Sequence, residues 1–160
     1  GFTISMIGLT AWIPFLTAGL GNLLGGWFSS RMVGNGTRVL TARKAVLLVS
    51  AVVMVSGYFT FGVRSATAAI GIVSFVTFAY SCWAANILTL PADLFAPAVV
   101  GVASGSTGTA AGIGGMLHML AVGWMIDHWS YRPVFLVSAI LPLAGAACVL
   151  ILRPQRSRLL

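Results

Sequence analysis

Five mostly apolar stretches, each about as long as a bilayer is thick when wound as a helix, restrict the fold of this chain more than any other feature. They cover roughly Ile7 to Phe28, Ala45 to Val63, Ala66 to Leu90, Val99 to Ile126 and Val134 to Leu152. In hydrocarbon every backbone N–H and C=O needs a partner inside the protein, so only helices and closed barrels can span. These runs are continuous rather than alternating, and the loops between them are short. The expected fold is therefore an all-α membrane protein, a polytopic transmembrane helix bundle.

Charge agrees and adds an orientation. Only 7% of the residues are charged, against about 25% in soluble domains, too few to clothe a wetted surface. The net charge of +7 comes from Lys and Arg gathered at the ends of apolar runs, with no basic face and no interleaved aromatics. That is a pattern of membrane orientation, and no nucleic-acid partner is expected. Arg31, Arg38, Arg43 and Lys44 stand between the first and second runs, and Arg153, Arg156 and Arg158 follow the fifth. The connection "PADLFAPA", on the same side, has no basic residue, and only Arg64 and Arg132 fall on the other. The first side is expected to be cytoplasmic, together with the C-terminus, in a multi-pass protein. Trp12 and Trp27, about 22 Å apart along a helix, suit the two interfaces of the first span, and Trp124 and Trp129 the outer end of the fourth. An odd number of spans then places Gly1 outside. A chain that starts there without Met or signal segment is expected to be a C-terminal fragment of a longer protein.

Catalysis finds little support. The candidate groups are Ser104, His118, Asp127 and His128. Ser104 and His118 share a predicted helix about 21 Å apart, whereas a nucleophile and its base need contact at about 3 Å. Asp127 and His128 are sequence neighbours, whose side chains diverge on a helix. Cys82 and Cys148 lie in apolar runs and read as buried small hydrophobes. No CxxC or His/Cys cluster occurs, so no metal and no cofactor is expected.

Polar and small residues inside the runs carry the remaining information. Asn86, in "SCWAANILTLPADLF", shares a helical face with Ala79, Cys82, Trp83 and Leu90. An amide beside an indole suits a polyhydroxy ligand, the amide reading oxygens and the ring packing on carbons. The plainer reading is an interhelical hydrogen bond by Asn86 and an interfacial Trp83. "GVASGSTGTAAGIGG" holds two GxxxG pairs, Gly101 with Gly105 and Gly108 with Gly112, which suggest tight helix packing or a helix that bends. Ser106, Thr107 and Thr109 on that run are alternatively hydroxyls for a polar cavity. His118 reads either as an interhelical hydrogen-bonding group or as a pore-facing, proton-handling one. Asp93, past the end of the third run, is expected to order the short loop.

Taken in order, three stretches resemble one family. "GGWFSSRMVGNGTRVLTARK" is similar to the loop between helices eight and nine of the major facilitator superfamily. "WAANILTLPADLFAPAVVGVASGSTGTAAGIGG" and "GWMIDHWSYRPVFLVSAILPL" resemble its helices ten to twelve, in the anion:cation symporter branch that holds hexuronate and sugar-acid transporters. The resemblance covers essentially the whole chain. It implies helices 8–12 of a twelve-helix transporter of the inner (cell) membrane, a C-terminal transmembrane bundle without its N-terminal half. Such a protein moves a small organic anion together with a cation, often a proton, by alternating access, and is expected to be monomeric at full length. Its partners would be that substrate, the coupling cation and the lipid bilayer. Residue by residue, Asn86 falls on the family's W-x-x-N position beside Trp83, as a substrate contact, and Ser106 and Thr107 stand on the Gly-rich helix eleven near the cavity.

The chain departs from the family where "S-D-R" becomes Ser29, Ser30 and Arg31, which removes the carboxylate of a gating contact. No Arg, Lys, Asp or Glu stands inside the five runs away from their ends, so anion neutralisation and proton coupling are expected from the other half. The alternatives are a major facilitator transporter of a neutral solute or drug, and a non-transporting subunit of a membrane bundle.

Overall fold

The computed structural model describes residues 8–151, and these are helical almost throughout. The helices are α1 (Trp12–Gly34), α2 (Val39–Met54), α3 (Ala66–Ile87), α4 (Leu90–Leu94), α5 (Pro97–His128) and α6 (Tyr131–Ile151). A 3-10 stretch, Val55–Gly62, prolongs α2. A long helix overlaps each predicted span, but the second span ends in the 3-10 stretch and the third runs past Ile87 into α4. Arg153, Arg156 and Arg158, and the outermost residues of the first and fifth predicted spans, lie outside the described residues.

Among the described residues four segments are both long and apolar enough to cross a membrane: Val39–Gly62, Ala66–Leu94, Pro97–His128 and Tyr131–Ile151. α1 has 23 residues, about 34 Å of helix, but Asn22 and several glycines dilute its apolar character. The predicted basic loop is much shorter than the sequence suggested. α1 runs on through Arg31, and α2 begins at Val39, so Arg43 and Lys44 are helical and only residues 35–38 connect. The turn is a Schellman closure: Gly36 N–H donates to the Val33 carbonyl at 2.9 Å and Thr37 N–H to that of Met32 at 3.0 Å. Gly36 sits at φ +90°, where a side chain would be strained.

The tightest helix contact is not where the sequence suggested it. Gly101, Gly105, Gly108 and Gly112 of α5 have open space beside them, and no residue of α5 is buried among the described residues. The close approach is made by Gly21 and Gly25 of α1. A Cβ on Gly25 would stand 2.6 Å from the Cys82 Cα of α3, and one on Gly21 would run into the Phe78 carbonyl. With Thr17 and Ser29, these residues form a row of small side chains four apart. It faces Ser74, Phe78, Cys82 and Asn86, also four apart, and Thr17 donates to the Ser74 carbonyl at 3.0 Å. Both rows ascend together, so α1 and α3 run parallel, as an alternating topology requires.

On the other side of α3 the core is apolar. Leu40, Leu47, Leu90 and Val149 form one cluster, and Ala51, Met54, Ala79 and Ala146 another, with Trp83 packed against both. Large apolar side chains such as Phe15, Leu23 and Val102 point outward, the arrangement a lipid environment favours.

Candidate functional site

Two places stand out among the described residues, one a polar network and the other a largely apolar cavity. One is at the end of the bundle where α1 meets α2. Arg43 Nε donates to Asp93 Oδ2 at 3.0 Å, and its Nη1 donates to Ser29 Oγ at 2.7 Å and Asn86 Oδ1 at 3.2 Å. One guanidinium thus ties α1, α2, α3 and α4 together. The planar fork of arginine reaches several acceptors at once, which a lysine ammonium does not do with the same geometry.

Asn86 is the inner member of that network. It is wholly buried, and its Nδ2 donates to the carbonyls of Gly25 at 3.0 Å and Cys82 at 2.9 Å. The missing Cβ of Gly25 is what lets α3 come near enough for the amide to reach that carbonyl. Both amide hydrogens and the amide oxygen are therefore engaged within the chain. Asp93 does more than order a loop, since its partner lies 50 residues earlier on another helix.

The second place is a cavity of about 720 Å³ between the 3-10 segment and α3, α5 and α6. α3 turns Val73, Val76, Thr77, Tyr80 and Trp83 towards it. α5 contributes Gly115 and His118, and α6 contributes Phe135, Ser138 and Pro142. Pro142, inside α6, has no N–H for the Ser138 carbonyl one turn earlier. No Asp, Glu, Lys or Arg lines the cavity among the described residues.

The predicted site residues therefore separate. Trp83 and Asn86 are three positions apart, about 60° round the helix, and that angle puts Trp83 on the cavity wall and Asn86 in the seam with α1. Ser106 and Thr107 are exposed on α5, away from the cavity lining, and both donate to the Ala103 carbonyl, at 3.0 and 2.8 Å. Thr109 does the same to Gly105 at 3.0 Å. Such bonds to the preceding turn are the ordinary way for a hydroxyl to be satisfied on an apolar helix. The sequence reading missed Tyr80 as a wall residue, although its spacing of three from both Thr77 and Trp83 already placed it on their face. Arg43 was also missed, because it was counted only as an orienting charge.

A family model described as Major Facilitator Superfamily matches residues 1–159. The chain belongs to the major facilitator superfamily. Among the relatives of this major facilitator chain is the hexuronate transporter of Escherichia coli K12, 32% identical over 161 residues, covering 93% of this chain and 35% of that protein. A protein of Cupriavidus necator named a probable sulfoacetate transporter is 29% identical, covering 96% of this chain and 36% of its own length. The D-galactonate transporter of Escherichia coli O6:H1 is 26% identical, over 95% of this chain and 35% of its own. The chain thus spans about a third of the length of the curated relatives it matches. Membership of a transporter superfamily settles the enzyme alternative: this is a multi-pass membrane protein of a non-enzymatic family.

Proposed function

We propose that this bundle is the C-terminal half of a transporter that carries a small organic anion of the sugar-acid class across the cell membrane. The observation that carries the reading is that relatives matched over more than nine-tenths of this chain are named for hexuronate, sulfoacetate and D-galactonate, all acid anions. The cavity between α3, α5 and α6 is the part of the pathway that this half supplies, and Trp83 is its aromatic wall. The five long helices rock as one body against the other half in an alternating-access cycle, held by the seam of α1 on α3 and the Arg43 network. Asn86 serves this reading as the anchor of α3, with Ser106 and Thr107 outside the contact set. Uptake is coupled to a cation, the proton being the first to test, and the full-length protein works as a monomer with its C-terminus in the cytoplasm.

A second reading has one observation in its favour. The cavity wall is almost wholly apolar and carries no fixed charge, which suits a neutral solute or drug. One experiment separates the two: uptake of radiolabelled D-galacturonate and D-galactonate into proteoliposomes holding the full-length protein, with and without an imposed proton gradient. Accumulation that collapses with a protonophore supports the coupled-anion reading. Equal, background-level signals from protein-containing and empty vesicles would sink it and favour the neutral-solute alternative.

A further inference from the structure

Among the described residues the Lys, Arg and Asp side chains collect near the ends of the bundle, and His118 does not. It stands about 8 Å along the axis from the middle of α5, at membrane depth. Its ring is half-buried on the wall of the 720 Å³ cavity. No hydrogen bond or ion pair holds it among the described residues, whereas His128 on the same helix bonds the Trp124 carbonyl at 2.9 Å. Gly115, one turn before it, also lines the cavity and has nothing within 4 Å of where a Cβ would be among the described residues.

An imidazole at this depth costs free energy unless something meets it. The elements around the cavity offer little. α3 brings one other titratable group, Tyr80, while the 3-10 segment and α6 bring the hydroxyls of Thr60 and Ser138 and otherwise apolar surface. No carboxylate faces the ring from any of them. The cavity can thus donate hydrogen bonds, and His118 brings to its lining a ring N–H, a donor suited to a carboxylate oxygen. In an apolar enclosure a charge-assisted hydrogen bond is stronger than in water.

We infer that His118 is the group with which this half of the transporter meets the carboxylate of its substrate, a ring N–H donating to a carboxylate oxygen. The inference rests on the organic-anion reading above and assigns a recognition residue to a half whose cavity has no Lys or Arg in its lining among the described residues. The test uses the full-length transporter in detergent with D-galacturonate and D-galactonate as probes. Kd is measured by calorimetry, and the thermal unfolding midpoint is measured without ligand. His118→Phe is expected to raise Kd roughly tenfold or more while leaving the midpoint in place. If His118→Phe does not fold, His118→Ala carries the same test. Wild-type affinity in a folded variant overturns the inference alone, and so does a variant whose midpoint falls while its folded fraction binds normally. A wild-type protein that binds neither acid overturns the organic-anion reading, and the inference falls with it.

Discussion

Arg43 and Asp93, 50 residues apart in the chain, meet at 3.0 Å with their side chains only 16% and 21% exposed. The pair closes one end of the bundle, and the same guanidinium passes inward to Ser29 and Asn86. A surface ion pair contributes little by itself, but one that also satisfies a buried amide is harder to remove.

Arg43→Lys should therefore behave as a disruptive change. A single ammonium reaching Asp93 leaves Ser29 and Asn86 without their shared donor, and we expect a loss of about 1–3 kcal/mol. Asp93→Asn, which leaves the inner contacts in place, should cost less than half as much. Thermal unfolding of the two variants in detergent checks the order, and equal midpoints would show that the inner contacts contribute nothing.

Gly25→Ala should be among the most damaging small substitutions in the bundle. The added methyl would lie 2.6 Å from the backbone of α3, and separating the helices to make room would also stretch the Asn86 bond to the Gly25 carbonyl. Overpacking of this kind costs about 1–3 kcal/mol. Gly26→Ala, next in sequence with nothing within 4 Å, is the matched control and should be neutral or slightly stabilising. Unfolding midpoints that fall alike for both would place the seam elsewhere.

Most of the fold was legible because apolar length and charge placement act over whole segments. The predicted basic loop shrank because the helices on either side run on past the apolar runs, and hydropathy does not mark where backbone bonding stops. Two GxxxG rows on α5 read more strongly than Gly21 and Gly25, yet a spacing says only that a backbone can be approached, not what approaches it. Asn86 was legible as a buried amide that must be satisfied. What satisfies it depended on 60° of helix rotation relative to Trp83 and on Arg43 of the neighbouring helix α2.

Asn86→Ala should separate anchor from substrate contact. It removes the acceptor for Arg43 and the donor to two carbonyls at a fully buried position, for an expected loss of about 2–4 kcal/mol. The folded fraction, isolated by size-exclusion chromatography, should bind D-galacturonate with wild-type affinity. A large rise in Kd with an unchanged unfolding midpoint would return Asn86 to the binding site.

Orientation can be checked at the connection of residues 35–38, which carries Gly36 at positive φ and lies beside Arg31, Arg38 and Lys44. Asn35→Cys should stay unlabelled by a membrane-impermeant maleimide in intact cells and react after permeabilisation, given a full-length protein with its native cysteines replaced. Labelling in intact cells would invert the topology and place the Arg43 network at the outer face.

Trp83 is the residue on which core and cavity compete. Its ring packs against both apolar clusters, a Cβ on Gly145 would stand 3.4 Å from it, and its indole N–H is buried with no partner among the described residues. An orphaned donor of this kind costs about 1–3 kcal/mol, so Trp83→Phe, which keeps an aromatic plate and deletes the N–H, should lose little stability or gain some. Trp83→Ala should lose about 3–5 kcal/mol through the space it leaves. If the ring is also the wall against which sugar carbons pack, Trp83→Phe should retain most of the affinity for D-galacturonate at no cost in stability. A phenylalanine variant that is as stable as wild type yet binds many times more weakly would mean that the buried N–H is held back for the ligand and is released to it during the transport cycle.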